Sequence, residues 1–311
     1  MNSRETFTFP EPVLQNVADP FVLTASDGYY YLYGTGTSAS TGGGFRVWRS
    51  DNLTDWTAEG LAFSYRRGNW GLSDFWAPEV LEYNNRYYMF YTARDRETGR
   101  LNIGVATSDS PMGPFEDERN EPILNFGYAA IDASPFVDED GRIYMYYARD
   151  VSENIISADL RRSDIYVVEL NSEMEVISEP TLLFYPTQAW ETQFVQEGWV
   201  WNEGPSVIRV DDLYYMTYSG NPYYAFEYAI GLAVADSPVG EFVKDENNPI
   251  VQGDKAQRVS GPGHNSIFKS HDGQVTYIAY HTHINFEQGG GEREVRISEV
   301  VFENGQMRLV N

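Results

Sequence analysis

Asp19-Pro20-Phe21-Val22 leads through a turn at Asp27-Gly28 into the strand Tyr29-Tyr30-Tyr31-Leu32-Tyr33, and this phrase returns four more times along the chain. The second copy is Ala77-Pro78-Glu79-Val80, turn Asn84-Asn85, strand Tyr87 to Tyr91. The third is Ser134-Pro135-Phe136-Val137, turn Asp140-Gly141, strand Ile143 to Tyr147. The fourth is Gly204-Pro205-Ser206-Val207, turn Asp211-Asp212, strand Leu213 to Tyr218. The fifth is Asn265-Ser266-Ile267-Phe268, turn Asp272-Gly273, strand Val275 to Tyr280. Measured at the Pro, or at Ser266 in the fifth, the spacings are 58, 57, 70 and 61 residues. Short apolar runs joined by such turns are hairpin signals.

Third strands follow, such as Phe45-Arg46-Val47-Trp48 and Ile230-Gly231-Leu232-Ala233, and fourth strands such as Met307-Arg308-Leu309-Val310. No segment carries a convincing helical period. The reading is all-β: one five-bladed β-propeller domain over residues 1–311, with roughly four antiparallel strands per blade. A two-sheet sandwich does not predict such a period. Two repeats share a further phrase, Ser108-Asp109-Ser110-Pro111 and Ala235-Asp236-Ser237-Pro238. The long third repeat predicts an ordered insertion near the site, around Asp150 to Arg162 or Tyr185 to Gly198.

Fifteen of the 23 tyrosines fall in the five second strands, so the tyrosine excess is mainly a strand effect. The chain carries 22 Lys and Arg against 46 Asp and Glu, a formal charge of −24. That balance argues against a nucleic-acid partner. There is no cysteine, hence no disulfide and no thiolate metal site. The first dozen residues lack the apolar stretch of a signal peptide, and no run of about 20 apolar residues exists to cross a membrane. A cytoplasmic protein is expected if the start is native, and a secreted one if a leader has been trimmed.

In a propeller the inner strands start near the axis. Equivalent starts then gather Asp19, Trp76-Ala77, Asp132, Glu203 and His264 at one end of the channel. Three inward acids without matching bases would be costly as mere structure. They suit glycoside cleavage, which needs one carboxyl to protonate the leaving oxygen and another to activate water or attack carbon. A third carboxylate raises the pKa of the acid.

Ala18-Asp19-Pro20, Trp76-Ala77-Pro78-Glu79, Asp132-Ala133-Ser134-Pro135, Asn202-Glu203-Gly204-Pro205 and Gly263-His264-Asn265-Ser266 stand in order, one per repeat. In these motifs the chain resembles glycoside hydrolase family 43. The resemblance implies an inverting mechanism with Asp19 as general base, Glu203 as general acid and Asp132 tuning and orienting the acid. It also implies Trp76 as an apolar wall of the sugar pocket and Arg293 beside the acids, although Arg296 is close enough in sequence to compete for that place. His264 matches a channel histidine near a water-ligated calcium or other cation, with no cofactor required for the chemistry.

Several residues read as structural. Asp138, Glu139 and Asp140 precede a glycine turn and are expected to be solvated; Glu79 is expected to be structural. His281 and His283 alternate on one strand without a third ligand, so a metal pair is not expected there. Gly42-Gly43-Gly44 and Gly289-Gly290-Gly291 read as flexible loops rather than phosphate cradles. The expected substrate is a plant cell-wall oligosaccharide. The leading activity is an exo-acting α-L-arabinofuranosidase on arabino- or arabinoxylo-oligosaccharides, then a β-xylosidase. An endo-arabinanase would need an open groove. Fructan-processing propellers usually carry Arg-Asp-Pro where this chain has Ala133-Ser134-Pro135. A non-catalytic sugar-binding propeller would have no need to keep all three acids.

Overall fold

Each repeated phrase folds into the inner pair of an antiparallel sheet. The computed structural model describes residues 7–35, 44–66, 68–124, 126–303 and 305–310. Among these the chain is all-β, with one short 3-10 turn at Val195–Glu197. Gly42 and Gly43 lie outside the described residues, and Gly44 opens a strand, Gly44–Ser50. No helix among the described residues is long and apolar enough to cross a membrane.

The first sheet is Ala18–Thr24, Tyr30–Thr35, Gly44–Ser50 and Thr57–Ser64; the second is Gly71–Tyr83, Arg86–Asp95 and Leu101–Ser108. The third is Ala130–Val137, Ile143–Arg149, Asp164–Leu170 and Thr181–Phe184; the fourth is Asn202–Val210, Leu213–Gly220, Ala229–Ala235 and Val243–Lys244. The fifth holds Gly263–Lys269, Thr276–His283, Arg293–Glu303 and Gln306–Val310, and Leu14–Gln15 pairs onto the same sheet from the N-terminal side. Leu14–Gln15 and Gln306–Val310 thus both pair with Arg293–Glu303. The second sheet has three strands rather than four, and its outer strand is met by the bridge between Thr107 and Glu116 and by the Ile123 N–H donating to the Ile103 carbonyl at 2.9 Å.

The first-named strand of each sheet is its inner strand, and each touches the next: Ala18–Thr24 against Gly71–Tyr83, then Ala130–Val137, Asn202–Val210, Gly263–Lys269, and back to Ala18–Thr24. Strand alternation explains what fills the space between sheets. Tyr31 and Tyr33 enter a core shared with Val80, Met89 and Tyr91 of the second sheet, while Tyr30 and Leu32 enter one shared with Phe268 and Ala279 of the fifth. Tyr144 and Tyr146 likewise face Met216 and Tyr218, while Met145 and Tyr147 face Phe90 and Ile103. Covered on both faces, these strands need no polar alternation. Two buried phenols need acceptors, and the repeated Ser-Pro phrase supplies them: Tyr33 donates to the Pro111 carbonyl and Tyr146 to the Pro238 carbonyl.

The insertion occupies both places the sequence pointed to. Ile155–Ser157 and Leu160–Arg162 form a hairpin joined by Trp199–Val200 into a small separate sheet, and the stretch 185–198 packs beside the fourth sheet. One expectation is corrected. Asp138 is buried rather than solvated, accepting from Tyr214 Oη at 2.7 Å and Arg209 Nη1 at 3.2 Å. It ties the third sheet to the fourth, and the cation across the gap offsets its desolvation. Glu139 and Asp140 are exposed, as expected of that turn.

Candidate active site

Regular pairing breaks at the start of every inner strand. Register shifts lie at Ala18/Phe21, Trp76/Glu79, Glu203/Ser206 and Gly263/Asn265, and opposite Tyr146/Ala148 in the third sheet. At each break one residue turns left-handed: Asp19 at φ 50°, Ala77 at 44°, Asp132 at 58°, Gly204 at 54° and His264 at 40°. Bulges re-aim side chains. Left-handed backbone at a non-glycine residue costs roughly 1–3 kcal/mol and clusters where function demands it. At Gly204 the requirement is double, since a Cβ there would also lie 3.2 Å from His264 Nδ1.

Each bulge also frees a backbone N–H, and the preceding sheet in the ring captures it. Asp19 N–H donates to His281 Nδ1 at 3.1 Å, Ala77 N–H to Thr35 Oγ1 at 2.7 Å, Asp132 N–H to Thr92 Oγ1 at 3.1 Å, and His264 N–H to Ser219 Oγ at 2.8 Å. The equivalent place in the third sheet is Ala148, whose side chain has no acceptor. There the Asp132 carboxylate itself takes the Gly204 N–H at 3.0 Å. Asp132 is thereby fixed against the residue that follows Glu203.

These side chains converge on a cavity of about 160 Å³ lined by Asp19, Asp132, Glu203, Trp76, Arg293 and His264, together with Thr35, Ile131, Tyr223 and Tyr228. All six residues singled out from the sequence are therefore brought together. A larger hollow of about 730 Å³ lies along the later residues of the inner strands, between Phe21–Thr24, Glu79–Glu82 and Ile267–Ser270. The ionisable groups with opposed charge states sit in the smaller cavity, and chemistry follows those groups rather than volume. Glu79 lines the larger hollow; it is buried, and burial with repulsion from Asp132, eased by a hydrogen bond from Ser134, raises its pKa well above the usual range.

The three acids have unlike surroundings. Burial alone would raise the pKa of Asp19, but the nearby His264 and Arg293 outweigh it and hold the carboxyl well below its ordinary value. Arg293 Nη1 lies 3.3 Å and His264 Nδ1 3.6 Å from Asp19 Oδ1. Glu203 is pushed up to about 8, first by burial and then by repulsion from Asp150 and Asp19, against the hydrogen bond from Tyr228 and the pull of Arg293. Tyr228 Oη donates to Glu203 Oε1 at 2.9 Å. Asp132 rises to about 7 through burial and the nearby Glu203 and Asp19, with His264 and the Gly204 N–H opposing.

The choice between the two arginines resolves by strand alternation. Arg293 faces Asp19 and lies over the Tyr223 ring at 5.0 Å, whereas Arg296 pairs with Glu294 and donates to Thr282 and the Pro10 carbonyl. His281 and His283 both make hydrogen bonds to neighbouring groups. His281 holds Asp19 and stacks on Tyr228 at 5.7 Å; His283 bonds Ser260 through Nδ1 and the Tyr223 carbonyl through Nε2. His264 points Nδ1 towards Asp19 and Asp132, and no group of three or more ligating side chains stands together among the described residues. Among the described residues, side chains alone form no cage for a cation there. Gly289 packs against the Tyr224 carbonyl, 2.4 Å from where a Cβ would stand, so this triglycine permits a close approach beside Tyr223.

Tyr228, Tyr223 and Thr35 escaped the sequence reading, which also did not place His281 or Asp150 at the site. Thr35, Thr92, Ser219 and His281 occupy one position of the repeat, the residue paired just before each bulge. That alignment was the available signal for His281.

A family model for glycosyl hydrolases family 43 matches residues 9–307. The crystal structure of a thermostable family-43 glycoside hydrolase superposes with a TM-score of 0.90 at 42% identity, over 98% of this chain and 96% of that one. An endo-1,4-β-xylanase structure from Bacteroides thetaiotaomicron gives 0.82 at 32% identity, over 97% and 96%. Among sequence relatives, a β-D-galactofuranosidase of Aspergillus niger is 30% identical across 86% of this chain and 74% of that protein. An extracellular exo-α-(1→5)-L-arabinofuranosidase of Streptomyces avermitilis is 25% identical across 88% of this chain, which spans only 56% of that longer protein. Fold and sequence together define the class, a glycoside hydrolase. Within it, the chain belongs to glycosyl hydrolase family 43.

Proposed function

We propose that this protein is an inverting, exo-acting α-L-arabinofuranosidase on a five-bladed β-propeller, releasing a terminal pentose from arabino- or arabinoxylo-oligosaccharides. The observation that carries this reading is one small cavity holding a carboxyl kept ionised, Asp19, and another kept protonated near neutrality, Glu203. Asp19 takes a proton from water as that water attacks the anomeric carbon. Glu203 gives its proton to the departing glycosidic oxygen as the bond to carbon breaks. Water and proton are accounted for, and the product has the opposite anomeric configuration. Tyr228 donates to Oε1 of Glu203, which leaves Oε2 to carry the transferable proton. Asp132 orients the acid through the Gly204 N–H, while Asp150 and Asp19 discourage the acid's ionisation by repulsion. Trp76 and Arg293 line the sugar's side of the pocket. A cation near His264 would be held through water and would support the fold rather than the proton transfers.

Drug-sized sites run to about 300–1,000 Å³; a cavity of about 160 Å³ suits one sugar unit and an exo mode of attack. Furanoside specificity is supported by the relatives that cleave galactofuranosides and arabinofuranosides. The likeness to a xylanase at 32% identity favours β-xylosidase as the second reading. Nitrophenyl glycosides of α-L-arabinofuranose, β-D-xylopyranose and β-D-galactofuranose separate these readings. The arabinofuranoside is expected to have the highest kcat/KM, by at least about tenfold. Preference for the xyloside would overturn the arabinose assignment, and no turnover of any would point to a sugar-binding protein.

A further inference from the structure

Next to the acid in the chain, and outside the residues that line the pocket, lies a buried charge cluster that none of the proton transfers uses. Lys244 Nζ and Glu191 Oε1 are 2.6 Å apart, with side chains 8% and 0% exposed. Glu191 Oε1 also accepts from Tyr218 Oη at 2.8 Å and Asn202 Nδ2 at 3.1 Å, while Oε2 accepts the N–H groups of Thr187 and Gln188 at 2.7 and 2.8 Å. Lys244 donates in addition to Asn202 Oδ1 at 2.9 Å. Both ends of the Asn202 amide are thus clamped, and Asn202 is the residue before Glu203. The same loop reaches the acid's other neighbour. Asn221 Nδ2 donates to the Trp190 carbonyl at 2.7 Å and the Glu227 carbonyl at 2.9 Å, one residue before Tyr228. The Trp190 indole fills the space over Gly220 and Gly231, where a Cβ would come within 2.6 and 2.7 Å of it.

We infer that Lys244 and Glu191 are positioning residues for proton donation: through Asn202 and the 185–198 loop they hold Glu203 and Tyr228 in line with the leaving oxygen. This rests on Glu203 being the general acid. Stability alone is a poor reason for the pair, because buried ion pairs are often replaced by apolar groups at no loss, whereas fixing a register is their best-attested use. Lys244 has also lost part of its basicity, to about 8, through burial that Glu191 only partly offsets.

Lys244→Met alone strands a buried carboxylate, so the paired variant Glu191→Gln/Lys244→Met, which is neutral throughout, is made beside it. Both are assayed, with Glu203→Gln in parallel, on the dinitrophenyl glycoside and the disaccharide of the pentose that the wild type prefers. The paired variant is expected to lose at least about tenfold in kcat on the disaccharide and no more than about twofold on the dinitrophenyl glycoside, whose leaving group needs no proton. Equal losses on both, no loss on the disaccharide, or failure of the paired variant to fold would overturn the inference. If Glu203→Gln shows the leaving-group split and the paired variant does not, the positioning role fails alone. If Glu203→Gln itself shows no split, the assignment of the acid fails first and the inference goes with it.

Discussion

Asp19→Ala is expected to lower kcat by about 10²–10⁴-fold on every glycoside, activated or not, because a general base acts on water whatever the leaving group. The expectation comes from its surroundings. Asp19 is mostly shielded from solvent, yet His264 and Arg293 hold it ionised. Its left-handed backbone and its N–H bond to His281 aim it into the cavity. Asp19→Asn is the stricter comparison, since Asn tolerates positive φ and keeps the volume but cannot take up the proton. Steady-state rates beside melting temperatures check this, and near-normal turnover in either folded variant would remove Asp19 as base.

Glu203→Ala is expected to cost about 10²–10⁴-fold on natural glycosides and much less on an aryl glycoside with an acidic leaving group. The pH profile carries the same signature. As general acid Glu203 would act in its protonated form, and its pKa is raised to about 8, so activity is expected below that value and is expected to be lost as pH rises through it. Asp132, at about 7, ionises first and adds negative charge beside it, so the two titrate as a coupled pair. The basic limb should disappear in Glu203→Ala. A variant that kept it, or lost equally on both substrates, would take the acid's role away from Glu203.

Much of this was legible in the chain because the repeat writes itself locally. Each inner pair is a short apolar run, a turn and a second run, so strand positions and the convergence of Asp19, Asp132 and Glu203 follow from phase alone. What stayed hidden depends on partners distant in sequence. Asp138 sits in Asp138-Glu139-Asp140-Gly141, which reads as a wet turn, but Arg209 and Tyr214 cover it from the next sheet. His281 gives no local sign of holding Asp19, 262 positions away. Lys244 and Glu191 look like two surface charges 53 positions apart until the insertion that carries Glu191 folds onto Lys244. The absence of a side-chain acceptor at Ala148, which leaves the Gly204 N–H to Asp132, has meaning only once the other four sheets are aligned.

The central claim is that Asp19 and Glu203 work from opposite sides of one bound sugar, with a water between base and carbon. Proton NMR of the first sugar released, recorded before mutarotation, tests it most directly. The account predicts the anomer opposite to that of the substrate. Release of the retained anomer would mean that a carboxylate, not water, attacks the carbon, and would contradict it.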